Sequence, residues 1–151
     1  MVVLDTDVLT VLQYGQSPEA QRVRERLRMT GELDAVSVVT HAEQLSGRLA
    51  ECARAKSPEQ YGVAAHRLRQ TVESYQGRTV LDFDDRAATE FRRLKAAKVR
   101  IGTMDLRIAS VALVHDATLI TRNLADYRRV PGLRAEDWTA PARAGAENGG
   151  R

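Results

Sequence analysis

Two acidic residues stand directly behind the apolar run that opens the chain. In "VVLDTDVLT", Asp5 follows three aliphatic residues and Asp7 comes two positions later. A carboxylate in an apolar environment costs free energy unless hydrogen bonds or an opposite charge compensate it. Either the strand ends here and water solvates both groups, or the two carboxylates bind a cation. The positions of the other acidic residues bear on that choice.

Two further acids lie near the starts of predicted helices, Glu43 in "SVVTHAEQL" and Asp105 in "IGTMDLRIA". Each has an ordinary structural explanation. Thr40 and Glu43 match a capping box, and Thr103 is predicted to be an N-cap that places Asp105 in the first helical turn. Taken singly, neither acid indicates chemistry.

The elements around these acids alternate between strands and helices. Thr6 is predicted to cap a helix that ends at Gly15, which gives Asp7 a place in a first turn. Strands are predicted at residues 1–5, 34–39, 79–83 and 117–121, with an edge strand at Leu133–Ala135. This alternation indicates an α/β fold, with a parallel sheet of four to five strands covered by helices on both faces.

The carboxyl ends of parallel strands meet at one edge of the sheet, where ligands bind in such folds. Because the helices that carry Asp5, Glu43 and Asp105 all enter this edge, we expect the three carboxylates to converge. At a separation of about 5 Å, each pair would repel by roughly 3 kcal/mol, and the sum rivals the stability of a domain. A divalent cation would relieve this repulsion, and oxygen ligands favour Mg²⁺ or Mn²⁺.

Length and composition are typical of one globular domain. The chain has 151 residues, of which 43% are hydrophobic and 28% charged. We expect one domain over residues 1–139 and a disordered tail over residues 140–151, where "APARAGAENGGR" has no periodicity. A single cysteine, the absence of a secretory signal and the absence of a bilayer-length apolar run predict a cytoplasmic protein without a membrane partner.

The basic residues are strongly biased towards arginine. Only three of the 23 are lysine. Arginine is suited to bidentate phosphate contacts, but codon composition in a GC-rich genome would produce the same bias. The charge pattern alone therefore does not indicate a nucleic-acid partner.

Four segments taken together resemble the PIN-domain ribonucleases, and most closely the VapC toxins of bacterial toxin–antitoxin pairs. They are "VVLDTDVLT", "SVVTHAEQLSG", "IGTMDLRIASVAL" and "LITRNLADYRRVPGLRAEDW", which run from the first strand to Trp138. The resemblance implies a Rossmann-like, three-layer α/β/α PIN domain that cleaves RNA with Mg²⁺ or Mn²⁺. It also implies a homodimer and a cognate VapB-type antitoxin that blocks the site.

The resemblance places the acidic cluster of the family on Asp5, Glu43 and Asp105, with a fourth member at or near Asn123. Two positions depart from the family pattern. Asp7 stands where asparagine is frequent, so it either adds a charge at the metal site or caps the helix. Asn123 stands where an acid is frequent, with Asp126 three residues later. Whether the site holds one metal or two is therefore open.

On this interpretation the protein is an endoribonuclease toxin that hydrolyses phosphodiester bonds. Asp5 and Asp105 would hold Mg²⁺, directly or through water, so that the cation polarises the phosphate and acidifies a water molecule. Glu43 would orient that water and accept its proton. Thr6 and Thr103 are expected to hydrogen-bond the phosphate or a ligating water.

Two other functions stay open at this point. One is an arginine-rich RNA- or protein-binding module with weak or no catalysis. The other is a phosphatase, because "DTD" is similar to the opening motif of haloacid dehalogenases. That family expects Thr or Val where this chain has Leu9, and it expects paired acids after a late strand, which "LITRNLAD" lacks.

Overall fold

The structure, a computed structural model, describes residues 1–142. Its five strands are β1 (Val2–Leu4), β2 (Asp34–Ser37), β3 (Thr79–Leu81), β4 (Thr118–Ile120) and β5 (Arg134–Glu136). The helices described are α1 (Thr6–Tyr14), α2 (Pro18–Thr30), α3 (Val38–Arg54), α4 (Pro58–Glu73), α5 (Asp85–Ala96), α6 (Thr103–Val114) and α7 (Leu124–Tyr127). Most of the predicted tail, from residue 143 on, lies outside the described residues.

All five strands belong to one parallel sheet in the order β3-β2-β1-β4-β5. β1 is the central strand, and its Val3 stands opposite Ala35 of β2 and Leu119 of β4. Because parallel neighbours run in the same direction, their carboxyl ends lie along one edge. The predicted parallel α/β sheet is therefore confirmed, with five strands.

The side chains of β1 alternate between two hydrophobic cores, one on each face of the sheet. Val2 and Leu4 pack in the core that contains Leu9 of α1, whereas Val3 packs in the core that contains Leu106 of α6. This alternation follows from the two-residue period of a strand. The three-layer α/β/α arrangement is confirmed, and β1 is buried on both sides, so the residue after it also emerges from the interior.

The first helix begins one residue earlier than predicted. Asp5, and not Thr6, is the N-cap of α1, and its Oδ1 accepts a hydrogen bond from the Thr6 backbone N–H at 2.9 Å. The prediction that Thr6 caps this helix is wrong, because aspartate caps as well as threonine does and comes first in the chain. The predicted stop at Gly15 is confirmed, since Gly15 adopts a left-handed conformation with φ of 83°.

The predicted starts of α3 and α6 also need correction. Ser37 is the N-cap of α3, where its Oγ accepts from the Val39 backbone N–H at 3.1 Å. The predicted second strand therefore ends at Ser37, and Thr40 lies inside the helix, so the capping box is wrong. Gly102 is the N-cap of α6, and the prediction that Thr103 has this role is wrong as well. Helix capping therefore does not explain why a glutamate stands at position 43.

α3 and α4 pack against each other, and α3 also contacts α1 and α6. α3 therefore contacts both the helix that Asp5 caps and the helix that carries Asp105. Among the described residues, no helix combines the length and the hydropathy needed to cross a bilayer.

Candidate active site

Asp5 directly follows β1 and is almost completely buried, with 5% of its surface exposed. Its Oδ1 accepts from the backbone N–H of Thr6, and its Oδ2 accepts from Thr121 Oγ1 at 2.7 Å. Thr121 follows β4, the neighbouring strand, so the ends of two adjacent strands fix this carboxyl group. Its orientation is set before any ligand binds.

Tyr127 connects Asp5 to Asp105. Its hydroxyl oxygen lies 3.2 Å from Asp5 Oδ1 and 3.2 Å from Asp105 Oδ1. Tyr127, at the end of α7, is fully buried, and Asp105 lies in the first turn of α6. A phenol carries one hydrogen and donates to only one acceptor at a time. When both acids are ionised, one of them faces the phenol oxygen with no hydrogen between them.

Glu43 reaches this pair through Thr6. Thr6 Oγ1 donates to Glu43 Oε1 at 3.0 Å and lies 3.2 Å from Thr40 Oγ1. Thr40 and Glu43 are three residues apart on α3 and so share one face of the helix. The side chain that sequence reasoning assigned to a capping box instead places its carboxylate beside the residue that follows Asp5.

Only one of the two carboxylate oxygens of Asp7 has a hydrogen-bond partner among the described residues. Its Oδ2 accepts from Arg122 Nε at 3.0 Å, whereas its Oδ1 is buried and finds no hydrogen-bond partner among residues 1–142. A buried oxygen without a donor costs about 1–3 kcal/mol. Asp7 therefore offers an unused acceptor at the same edge of the sheet.

Asn123 and Asp126 are paired with each other, because Asn123 Nδ2 donates to Asp126 Oδ2 at 2.9 Å. The backbone N–H of Asn123 also donates to Thr121 Oγ1 at 3.0 Å, the hydroxyl that holds Asp5. Thr103 is exposed as the first residue of α6. The charge of Asp126 raises the pKa of Asp105, so Asp126 lies close enough to act on the acidic site.

Burial and the charges of neighbouring acids raise the pKa of Asp5, Glu43 and Asp105. Burial raises the pKa of Asp5 to about 6, the hydrogen bond from Thr121 opposes this, and the charges of Asp7 and Asp105 add to it. Burial also raises the pKa of Asp105 and of Glu43, and the charge of Asp105 raises the pKa of Glu43 further. These mutual effects show that the acids share one electrostatic environment.

The residues present fit a divalent cation held by two carboxylates. Asp5 and Asp105 supply oxygen ligands and share only one hydrogen of Tyr127, and the charge of Asp7 acts on both of them. Within residues 1–142, no three acidic, histidine or cysteine side chains gather closely enough to enclose an ion by themselves. Mg²⁺ is usually bound by one or two carboxylates and keeps several waters, so a pair suffices for it.

Sequence reasoning missed Thr121 and Tyr127. Thr121 could have been found, because it stands after β4 where Asp5 stands after β1, and a polar group at a central strand end faces the ligand edge. Tyr127 carries no such signal. Its burial results from the packing of a four-residue helix against the sheet, which periodicity does not reveal.

A parallel sheet with acidic side chains at its carboxyl edge is the arrangement of an α/β protein whose ligand site suits a divalent cation. The family model of the PIN domain matches residues 2–133, and the chain belongs to this family. The resemblance stated from the sequence is confirmed. The alternative of a haloacid-dehalogenase phosphatase is set aside.

Two curated relatives are similar along most of the chain. The tRNA(fMet)-specific endonuclease VapC of Salmonella typhimurium is 29% identical over 140 residues, which cover 89% of this chain and 96% of the relative. The protein of the same name from Shigella flexneri is 31% identical over 122 residues, covering 78% and 84%.

Solved structures show the same fold. VapBC-1 of nontypeable Haemophilus influenzae superposes with a TM-score of 0.67 at 25% identity, covering 93% of this chain and 100% of the other. FitAcB of Neisseria gonorrhoeae gives a TM-score of 0.66 at 22% identity, covering 91% and 98%. The match to FitAcB concerns the fold alone.

Proposed function

We propose that this protein is a VapC-type endoribonuclease toxin that hydrolyses RNA phosphodiester bonds with Mg²⁺, for which Mn²⁺ can substitute. The observation that carries the proposal is the pair of the buried Asp5 and the half-buried Asp105, which share the single hydrogen of Tyr127. The names of the curated relatives, endonuclease and ribonuclease, support RNA as the substrate.

Asp5 and Asp105 are the residues that would hold the cation, with Asp7 Oδ1 within the same acidic environment. A bound divalent cation supplies Lewis acidity to the phosphate and to a water molecule. Thr121 and the Thr6 backbone N–H keep Asp5 in one orientation, so the ligand atoms need little rearrangement. Burial of Asp5 strengthens the interactions of its charge with the neighbouring acids.

Glu43 is the residue that would orient the attacking water and accept its proton. Its pKa is raised by burial and by the charge of Asp105, which makes the carboxylate a better proton acceptor. The hydroxyl of Thr6 fixes Oε1 of Glu43 and leaves Oε2 for water. Thr103, exposed at the start of α6, is available to hydrogen-bond the phosphate. Because Asn123 and Asp126 bind each other, we assign the first cation to Asp5 and Asp105.

The proposal includes the partners of a toxin of this type. Related solved structures are VapBC complexes, so we propose a VapB-type antitoxin for this chain, a homodimeric assembly and action in the cytoplasm, where RNA substrates are found. Co-expression with a candidate VapB-type antitoxin, followed by size-exclusion chromatography, tests the complex.

Cleavage of labelled RNA by the purified protein, with Mg²⁺ and with chelator, tests the activity. The variant Asp105→Asn is compared with Asp85→Asn, since Asp85 occupies the first turn of α5 as Asp105 occupies that of α6. We expect cleavage by wild type and Asp85→Asn in Mg²⁺ only, and no cleavage by Asp105→Asn. Cleavage that persists in chelator would contradict the metal mechanism, and RNA binding without any cleavage would favour the binding module.

A further inference from the structure

A polar groove leads away from the carboxylate site between α1, α3 and α4. It consists of two adjoining cavities, of about 260 Å³ and about 270 Å³, which share Arg48 and Thr71. Thr6 and Glu43 line the inner cavity, so the groove begins at the proposed catalytic residues. Tyr14 and Arg67 line the outer cavity. From Thr6 to Tyr14 the groove follows α1 for roughly 12 Å.

Hydrogen bonds between side chains fix the floor of this groove. Gln13 and Gln44 exchange amide hydrogen bonds of 3.1 and 2.8 Å, and Gln44 also donates to Thr10 Oγ1 at 3.0 Å. Gln13 further donates to Ser74 Oγ at 2.8 Å. Apart from Gly47, the lining residues of both cavities are polar or, for Tyr14, amphipathic. A polar ligand suits this surface better than the apolar face of a partner helix does.

The charge of the groove changes sign along its length. The inner cavity is lined by the carboxylates of Glu43 and Glu51, and the outer cavity by the guanidinium groups of Arg48 and Arg67. Arg48 Nη1 lies 2.9 Å from Glu51 Oε1, whereas Arg67 Nη1 lies 3.8 Å from Glu51 Oε2. The lining of the outer cavity has two guanidinium groups and no carboxylate, so it carries a net positive charge. Arg67 is exposed and only loosely paired, so it is free to contact an anion.

An exposed aromatic ring stands beside these arginines. Tyr14 is 66% exposed at the end of α1, and its hydroxyl accepts a hydrogen bond from the Arg48 guanidinium. The Arg48 Cζ atom also lies 5.9 Å from the centroid of the ring. An aromatic ring next to basic side chains is the combination that binds single-stranded nucleic acid, by base stacking and phosphate contact.

We propose that this groove binds the single-stranded RNA segment next to the cleaved bond, with Arg48 and Arg67 on backbone phosphates and a base stacked on Tyr14. The inference rests on the proposed nuclease function. It assigns the side of the site from which the strand enters. Single-stranded RNA is the expected form, because its bases are free to stack on a side chain, whereas those of a duplex are not.

Fluorescence anisotropy with a short labelled single-stranded RNA, in chelator so that no cleavage occurs, tests the groove. The variants are Tyr14→Ala and Arg67→Ala, both at exposed positions. The matched control is Arg69→Ala, which lies on the same helix and pairs with Glu73 outside the groove. We expect Tyr14→Ala to weaken binding about tenfold. Arg67→Ala should lower the slope of log K against log salt by about 0.7, the value for one phosphate contact on a single strand.

The slope of log K against log salt separates the two roles. We expect Arg67→Ala to lower it and Tyr14→Ala to leave it unchanged, and a general structural defect would not produce this difference. Arg48→Lys keeps the charge and should retain binding better than Arg48→Met does. In Mg²⁺, Tyr14→Ala and Arg67→Ala should raise KM and leave kcat nearly unchanged. Arg69→Ala should match wild type in every assay.

The proposal is overturned if Tyr14→Ala and Arg67→Ala bind and cleave RNA as wild type does. It is equally overturned if they lose affinity for a co-expressed protein partner and keep affinity for RNA. Failure of the proposed function is a separate result. In that case wild type does not cleave RNA in Mg²⁺, whereas RNA binding in chelator still reports on the groove.

Discussion

Two junctions of this fold share one local design and differ in their energetics. At each, a strand ends, an aspartate follows as N-cap, and a helix begins: Asp5 between β1 and α1, and Asp84 between β3 and α5. Asp84 accepts from the Ala87 backbone N–H at 3.0 Å, and this hydrogen bond, assisted by Arg86, lowers its pKa. At Asp5, burial raises the pKa to about 6.

The difference arises from the place of each strand in the sheet. β3 is an edge strand, and the side chain of Asp84 keeps 40% of its surface exposed. β1 is the central strand, so Asp5 emerges among buried residues and other acids. The ionised form of the capping aspartate is therefore favoured at the edge strand, whereas burial makes it unfavourable at the central strand. An acid retained where it is unfavourable indicates a ligand that compensates it.

The largest expected contrast between the junctions is in catalysis. Asp5→Asn should lower RNA cleavage by more than about a hundredfold, because it removes a charged ligand from the proposed cation site. Asp84→Asn should leave cleavage within twofold of wild type, about the error of such assays. Initial rates in saturating Mg²⁺ measure both. Equal losses in the two variants would mean that Asp5 acts only as a cap.

The same substitutions should have opposite effects on stability in chelator. Asp5→Asn is expected to raise the free energy of unfolding by up to about 3 kcal/mol near neutral pH, since it removes a carboxylate whose ionisation burial opposes. The gain should vanish below about pH 4, where this carboxyl is protonated both folded and unfolded. Asp84→Asn should slightly lower the melting temperature, because the charged form of Asp84 is the favoured one. Chemical and thermal denaturation measure these changes.

Glutamates at two other helices extend the comparison. Glu43→Gln should reduce kcat by about tenfold to a hundredfold, because it removes the proposed proton acceptor. Glu90 lies on α5, paired with Arg93, and the hydrogen bond from Arg93 lowers its pKa. Glu90→Gln should leave kcat unchanged. A normal kcat in Glu43→Gln would assign proton acceptance to another group.

Two tyrosines provide the smallest and most specific contrast. Tyr127→Phe should destabilise the protein by about 1 kcal/mol in chelator, because Asp5 and Asp105 lose their shared hydrogen. Mg²⁺ should reduce this loss by taking over the charge balance. Tyr75, whose hydroxyl donates to the neutral Gln44, is the control, and any effect of Tyr75→Phe should not depend on Mg²⁺. Thermal unfolding with and without Mg²⁺ distinguishes the two.

The sequence was sufficient for those features that depend on local pattern. Apolar runs alternating with helical periods predicted the parallel sheet, and Gly15 predicted the end of α1, where it adopts a left-handed conformation. The start of α3 was misjudged because Val38 and Val39 are β-branched and favour a strand locally. Their tertiary environment, not their propensity, makes them helical.

The sequence was enough to predict which acids form the site, but not the contacts that connect them. The topology of the sheet brings Asp5 and Asp105 to one edge, as the order of motifs suggested. The hydroxyl groups that connect the acids, those of Thr6, Thr121 and Tyr127, are set by packing between elements distant in the chain. No local pattern specifies such contacts. The placement of Glu43 by Thr6 was hidden behind a plausible capping box.

Isothermal titration of the protein with Mg²⁺ tests the central claim most directly, with wild type, Asp5→Asn and Asp84→Asn compared at the same pH. The account predicts that wild type and Asp84→Asn bind Mg²⁺ with equal affinity and that Asp5→Asn shows no measurable binding. Mg²⁺ binding by Asp5→Asn with the affinity of wild type would contradict it.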